Sequence, residues 1–136
     1  MKQYSKPVDV KLEGIIVHGF QRGSKSLGVP TANVEMTEVN LSILKDTVPG
    51  IYMAYCKHRD TVYKAAVSVG WNPCYDNAVK TLEAYLITKE DLPDFYGELV
   101  SVQLCRYIRP EGLYDTFDGL LIAISQDIQA TIDEQF

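Results

Sequence analysis

Residues 51–70, IYMAYCKHRDTVYKAAVSVG, decide the fold of this chain. Two runs rich in β-branched, aromatic and small apolar residues, 51–57 and 62–70, flank the polar link His58-Arg59-Asp60-Thr61. A link of that length turns one strand back beside the other, so the stretch predicts an antiparallel hairpin. Working outward, further strands are predicted at 10–20, where Ile15, Ile16 and Val17 sit between Gly14 and Gly19, and at 31–36, 79–87 and 99–108. Between them, the segment through Asn40 and Asp46 to Pro49-Gly50 reads as a polar, irregular connection, WNPCYDNA (71–78) as a turn, and TKEDLPDFYGE (88–98) as a loop. The period then changes. Phe117, Leu120, Leu121, Ile124, Ile128 and Ile132 fall at helical spacing, with Asp115 or Thr116 as N-cap, and predict one terminal amphipathic helix. Most links are too short to hold a crossover helix, which favours antiparallel pairing. The expected fold is mainly β: a six-stranded antiparallel closed barrel of Greek-key type, which removes its edge strands, with a C-terminal α-helix over an open end or side.

Composition narrows the class. At 136 residues, 46% hydrophobic and 23% charged, the chain suits one core, and a single domain over 1–136 is expected. No apolar run approaches bilayer length, and the start, MKQYSKPVDVKLEG, has neither a signal-peptide core nor an arginine-rich transit pattern. Cys56, Cys74 and Cys105 are an odd number in no metal-ligand spacing, each in or beside an apolar segment where a reduced thiol packs as a small hydrophobe. A cytoplasmic protein and a monomer are expected. A net charge of −5 argues against nucleic-acid and anionic-membrane partners, including an oligonucleotide-binding barrel, which would need a basic groove. Any anionic ligand must be held locally.

One stretch offers local chemistry for an anion: GSKSLGVPTAN, residues 23–33. It is not a Walker loop, because Ser24 separates Gly23 from Lys25 and Pro30 follows in an extended segment where that motif opens a helix. Gly19, Gly23 and Gly28 nevertheless permit close backbone approach, and Lys25 supplies a point charge. Thr31 and Asn33, two apart on an extended chain, aim two neutral oxygens at one place. Such oxygens suit Mg²⁺, which keeps water and substrate phosphates as its other ligands. Glu83 is the only carboxylate in VKTLEAYLI (79–87), flanked by Leu82 and Ala84. Desolvation there would raise its pKa and make it a better proton acceptor. Alternation leaves its face open, since Val79, Glu83, Tyr85 and Ile87 share one side while Leu82, Ala84 and Leu86 share the other.

GFQRGSKSLGVPTANVEM (19–36), with PTAN at 30–33, resembles the signature loop of riboflavin kinases (flavokinases). The resemblance continues in SVGWNPCYDNAVKTLEAYLI (68–87), DFYGELVSVQL (94–104) and YIRPEGLYDTFDGLLIAISQDI (107–128), four blocks in family order. It is closest in kind to the monofunctional, eukaryotic-type enzyme, and the family fold is a barrel of the sort expected above. The resemblance implies an ATP:riboflavin 5′-phosphotransferase that makes FMN, with ATP/ADP and riboflavin/FMN as its small-molecule partners and Mg²⁺ as cofactor. Carried over residue by residue, it implies Thr31 and Asn33 as metal ligands and Glu83 as the general base on the ribityl 5′-hydroxyl. It places Gly19, Gly23, Lys25, Thr31, Leu86 and Tyr96 with ATP, and Arg109, Gly112 and Tyr114 with the flavin. Trp71 is a further aromatic candidate, and neither His18 nor His58 is given a catalytic role. Three features depart from the family pattern: Tyr85 stands where a histidine is common after the glutamate, Gly112 where a basic residue is often found, and 91–94 lengthens the loop before DFYGE. The competing class is a catalytically silent flavin- or nucleotide-binding barrel, which would keep the pocket aromatics but tolerate loss of Glu83.

Overall fold

The hairpin predicted at 51–70 forms, one residue longer at each end of both strands. In the computed structural model, which describes residues 6–17, 30–71, 80–88, 96–110 and 116–134, β3 (Gly50–His58) pairs antiparallel with β4 (Thr61–Trp71) from Gly50↔Val69 to His58↔Thr61. Arg59 and Asp60 make the turn, with Arg59 in the left-handed region at φ 55°. Around this hairpin lie β1 (Lys6–Val17), β2 (Thr31–Val34), β5 (Lys80–Leu86) and β6 (Leu99–Arg109). All six pairings are antiparallel and the ring closes in the order β1-β2-β5-β4-β3-β6. The expected closed barrel is therefore the observed one. β1 begins earlier than its apolar run, because exposed Lys6 and Pro7 still pair with β6 across a register shift before Val10.

Alternate residues of every strand fill the barrel. Leu12, Ala32, Val34, Ala54, Val67, Leu82, Ala84, Leu86, Val102 and Leu104 are among its buried contributors, with small alanines admitting the larger side chains opposite. Side chains from all six strands fill the interior.

Among the described residues two helices lie on the outside, and this corrects the expectation of a single one. α1 (Glu38–Lys45) occupies the segment read as an irregular connection. Thr37 caps it, its Oγ1 accepting from the Asn40 backbone N–H at 3.1 Å. The inward position is held by Asn40, whose Nδ2 donates to the carbonyls of Glu13 at 3.1 Å and Glu35 at 2.8 Å, while Leu44 is fully buried. A polar residue at a buried position hides the helical period. Lys80 of β5 holds the other end, donating from Nζ to the carbonyls of Leu44 at 2.7 Å and Thr47 at 2.8 Å.

α2 (Phe117–Asp133) is the predicted terminal helix, and Thr116 is its N-cap, accepting from the Gly119 N–H at 3.0 Å. Its apolar face lies on the outer wall of the barrel. Ile124 packs with Ala66 and Tyr85, joined by Leu120 and Ile128, and Ala130 packs with Ile51, Met53 and Ile108. Burying each large aliphatic side chain stabilises the folded state by about 1.5–3 kcal/mol. Polar anchors fix the helix along its length. Lys64 of β4 donates to the carbonyls of Thr131 and Glu134 at 3.3 and 2.8 Å, and Arg109 of β6 grips Asp127. Among the described residues no helix is long and apolar enough to cross a membrane.

Candidate active site

β2 and β5 lie side by side in a register that puts Asn33 directly opposite Glu83 and Thr31 directly opposite Tyr85. Ala32, Leu82, Ala84 and Leu86 point into the core, so these four residues share the outer face of the barrel wall. Directly opposed residues on one face bring their Cβ atoms within about 5.5 Å. The register thus assembles a square of two hydroxyls, an amide and a carboxylate, and it answers the question of which way Glu83 faces. Alternation could not answer it because both walls of β5 are covered, one by the core and one by α2 over Tyr85.

The hydrogen bonds within the square give each member a distinct state. The Tyr85 hydroxyl donates to Oε1 of Glu83, and the side chain of Asn33 also bonds the carboxylate. The amide must therefore present N–H to Glu83, which leaves its carbonyl oxygen for another partner. Burial pushes the Glu83 carboxyl above its ordinary value, and the bonds from Tyr85 and Asn33 pull it back only in part. The Tyr85 phenol is driven well above the ordinary tyrosine value by burial, then by the charge of Glu83, its bond to Glu83 and the charge of Asp127. It stays a neutral donor. Thr31 Oγ1 is buried and has no hydrogen-bond partner among the described residues. A buried hydroxyl without a partner costs about 1–3 kcal/mol, so this oxygen marks a place that a ligand would complete.

The other expected site residues divide. Leu86 carries its side chain into the barrel core and is 1% exposed, on the face opposite Glu83. Tyr96 bridges to Ile16 and packs against the main core from outside the named strands. Arg109 is engaged by its own chain: Nε donates to Asp127 Oδ1 at 3.0 Å, Nη2 to Oδ2 at 2.7 Å, and Nη1 to the Pro110 carbonyl at 3.3 Å. Burial pushes the Asp127 carboxyl up against the opposing pull of that guanidinium. Trp71 is half exposed with the Lys80 ammonium 5.3 Å from its ring centre, away from the square. His58 donates or accepts at 2.9 Å with Glu98, which also takes Arg59, and this cluster shares no residue with the square. His18, Gly19, Gly23, Lys25, Gly28, Cys74, Gly112 and Tyr114 lie outside the described residues.

Sequence reasoning noted Tyr85 only as a departure from the family pattern, without a role, and passed over Asp127. Tyr85 had a visible signal, two residues from Glu83 on one strand face. Asp127 had another: it is the carboxylate three positions after Ile124, on the face that Leu120, Ile124 and Ile128 give to the barrel. A cavity of about 800 Å³ lies elsewhere, between α1 and the outer faces of β1 and β6, and includes none of the four. Val39, Ile43 and Val62 are among its lining residues.

Similarity to known proteins extends over most of the chain. A flavokinase family model, described as riboflavin kinase, matches residues 6–134. Over 119 residues the chain is 42% identical to riboflavin kinase of Mus musculus, covering 85% of this chain and 74% of that protein. It is 41% identical, with the same coverage, to riboflavin kinase of Homo sapiens. Among solved structures, riboflavin kinase from Trypanosoma brucei superposes with a TM-score of 0.64 at 27% identity, over 90% of this chain and 77% of that one. A macrolide-efflux protein from Streptococcus pneumoniae superposes with a TM-score of 0.73 at 27% identity, over 92% of this chain and 39% of that one.

Proposed function

The chain belongs to the riboflavin kinase family, phosphotransferases that make FMN from riboflavin and ATP, and we propose that the Thr31, Asn33, Glu83 face is where it does so. One observation carries the assignment of the site: a desolvated carboxylate paired in register with an amide, beside a buried hydroxyl that has no partner of its own among the described residues.

Glu83 is the general base. The ribityl 5′-hydroxyl gives its proton to a free lone pair of the carboxylate, its oxygen forms a bond to the γ-phosphorus of ATP, and the bond from that phosphorus to the bridging oxygen breaks, releasing ADP. A carboxyl raised by burial accepts that proton more readily than an exposed one. Thr31 Oγ1 and the Asn33 carbonyl oxygen fit a hard cation, two neutral oxygens on adjacent outward positions, and would hold Mg²⁺. Bound there, the ion supplies charge neutralisation on the transferring phosphate. In sequence, 18–29 directly precedes Pro30 and these ligands, and Gly19, Gly23 and Lys25 belong to the nucleotide in this reading. Arg109, fixed by Asp127, sets where the segment after Pro110 begins, and Gly112 and Tyr114 in that segment contact the flavin. Tyr96 lies beside the nucleotide, while Leu86 serves it through the backbone, where its N–H already donates to the Pro30 carbonyl at 2.9 Å.

The test is FMN formation from riboflavin, ATP and Mg²⁺, followed by chromatography with fluorescence detection, in the parent and in Glu83→Gln. Product that needs all three components, with turnover reduced about 10²–10⁴-fold in Glu83→Gln and binding of both substrates kept, supports the reading. Parent-like turnover in Glu83→Gln overturns the base assignment.

A further inference from the structure

The proposed base does not stand alone on its strand. Tyr85 reaches back two residues to donate its hydroxyl to Oε1 of Glu83, while its ring is clamped between Ala66 of β4 and Ile124 of α2. A tyrosine buried on its ring and bonded at its tip has one orientation available, and that orientation specifies one carboxylate oxygen.

We propose that Tyr85 is the positioning residue of the phosphoryl transfer, fixing the Glu83 carboxylate so that its remaining lone pairs meet the incoming hydroxyl. The inference rests on the reading of Glu83 as base. A carboxylate offers about four acceptor positions. Tyr85, on the same strand, and Asn33, on the facing strand β2, take two of them, which leaves two acceptor positions for a substrate hydroxyl. Rotation of the carboxylate about its last bond would break the Tyr85 bond. The proton acceptor is thereby held in place before substrate arrives, which is where positioning lowers a barrier.

The support of the phenol reaches further. Asp127 of α2 lies close enough for its charge to act on Tyr85, and Asp127 is itself gripped by Arg109 of β6 through two hydrogen bonds. Three neighbouring elements therefore bear on this residue: β4 through Ala66, α2 through Ile124 and Asp127, and β6 through Arg109 behind Asp127. The charged and titratable groups around it are Glu83 on its own strand, Asp127 on α2, Arg109 behind Asp127, and Lys64 of β4, whose ammonium is bonded to the last carbonyls of α2. β2 contributes the neutral Thr31 and Asn33, and β4 places Ser68 opposite Glu83. Toward the Glu83 carboxylate the phenol acts as the donor.

Tyr85→Phe removes the hydroxyl and keeps the ring between Ala66 and Ile124. The expected result is a kcat about tenfold lower with KM for riboflavin and MgATP within about twofold. Tyr85→His, which returns an N–H donor, is expected to recover part of the lost kcat. A folded Tyr85→Phe with unchanged kcat overturns the proposal. So does a loss of rate that comes with raised KM and is not recovered in Tyr85→His, which is the mark of a disturbed α2 alone. Glu83→Gln separates the two failures: if it is inactive while Tyr85→Phe is silent, only the positioning role falls, whereas an active Glu83→Gln removes the base beneath both.

Discussion

Lys80→Met is the substitution whose cost can be worked most directly from the structure. The ammonium is nearly enclosed and donates at 2.7 and 2.8 Å to two carbonyls at the end of α1, with a longer approach of 3.4 Å to a third. Hydrogen bonds from a charged donor contribute about 1.5–3 kcal/mol each when partners are removed singly. A cation at a helix C-terminus adds about 0.3–1 kcal/mol, and its place near the Trp71 ring about 0.5–1 kcal/mol at a half-exposed site. These add to about 4–8 kcal/mol; methionine fills the place of the stem and carries no charge to desolvate, which offsets part of the sum, and the net loss is about 3–4 kcal/mol. Against a typical stability of about 5–15 kcal/mol the variant still folds. Its melting midpoint, followed by far-UV circular dichroism, should drop by about 10–15 °C, since each kcal/mol shifts a chain of this size by about 4 °C. Amide exchange in α1 should accelerate before the barrel melts. Trp71→Ala isolates the ring contribution and should cost no more than about 1 kcal/mol. A Lys80→Met midpoint within about 2 °C of the parent would refute the reasoning, because it would mean that the carbonyls of Leu44 and Thr47 gain nothing from the ammonium.

Three further outcomes follow from the same geometry. Burial raises the Glu83 carboxyl in the folded chain, so the folded state holds more protons than the unfolded one, and the contribution of Glu83 to stability falls as pH climbs through and above the ordinary carboxylate range. Glu83→Gln should therefore be at least as stable as the parent at pH 8, with the difference shrinking toward pH 4; urea midpoints across that range check the sign, and a destabilised variant at pH 8 contradicts it. Asn33→Asp replaces the N–H that faces Glu83 with a second carboxylate, which should lower the Mg²⁺ concentration for half-maximal rate by about threefold or more while reducing kcat, and an unchanged metal titration counts against the ligand role. At Gly50 a Cβ would sit 2.5 Å from the Arg109 carbonyl oxygen and 2.6 Å from the Tyr107 ring. Gly50→Ala should thus shift β3 from β6 and cost about 1–3 kcal/mol in denaturant unfolding, with a neutral result showing that the strands separate without penalty.

Where the sequence was legible, each element buries one face; where it was not, burial follows another rule. The hairpin at 51–70 announces itself because a short polar link interrupts two apolar runs, and α2 because Leu120, Ile124 and Ile128 repeat at helical spacing against one wall. α1 stays hidden because Asn40, the residue turned inward, is satisfied by two backbone carbonyls from β1 and the end of β2, a pairing no local pattern contains. β1 starts ahead of its hydrophobic run because pairing to β6 needs only backbone. The residue types of the candidate site, Thr31, Asn33 and Glu83, were readable as chemistry, whereas their convergence depends on the register of β2 against β5, which is a long-range fact. Arg109 illustrates the converse. A lone arginine before a proline gives no sign in the sequence that an aspartate eighteen positions on will take it in two hydrogen bonds.

A barrel this small has to place its chemistry on the outside, since its interior is closed by side chains from all six strands. An outer wall, however, is normally wet, and a wet carboxylate is a weak base with freely turning oxygens. α2 changes that condition. By lying over Tyr85 and Ala66 it seals one flank of β5 from water, and the same contacts that contribute to folding raise the Glu83 carboxyl and orient the phenol that holds it. The helix is anchored by Lys64 at its end and by Arg109 within its length, both reaching out from barrel strands, so its seat is set by the sheet and not by the loops around it. Stability and reactivity are thus opposed at one residue: the desolvation that makes Glu83 a better proton acceptor is also the term that weakens the fold as pH rises. Stability alone would favour glutamine there, and an acid on a half-buried wall is the structural reason to look for a proton that it takes.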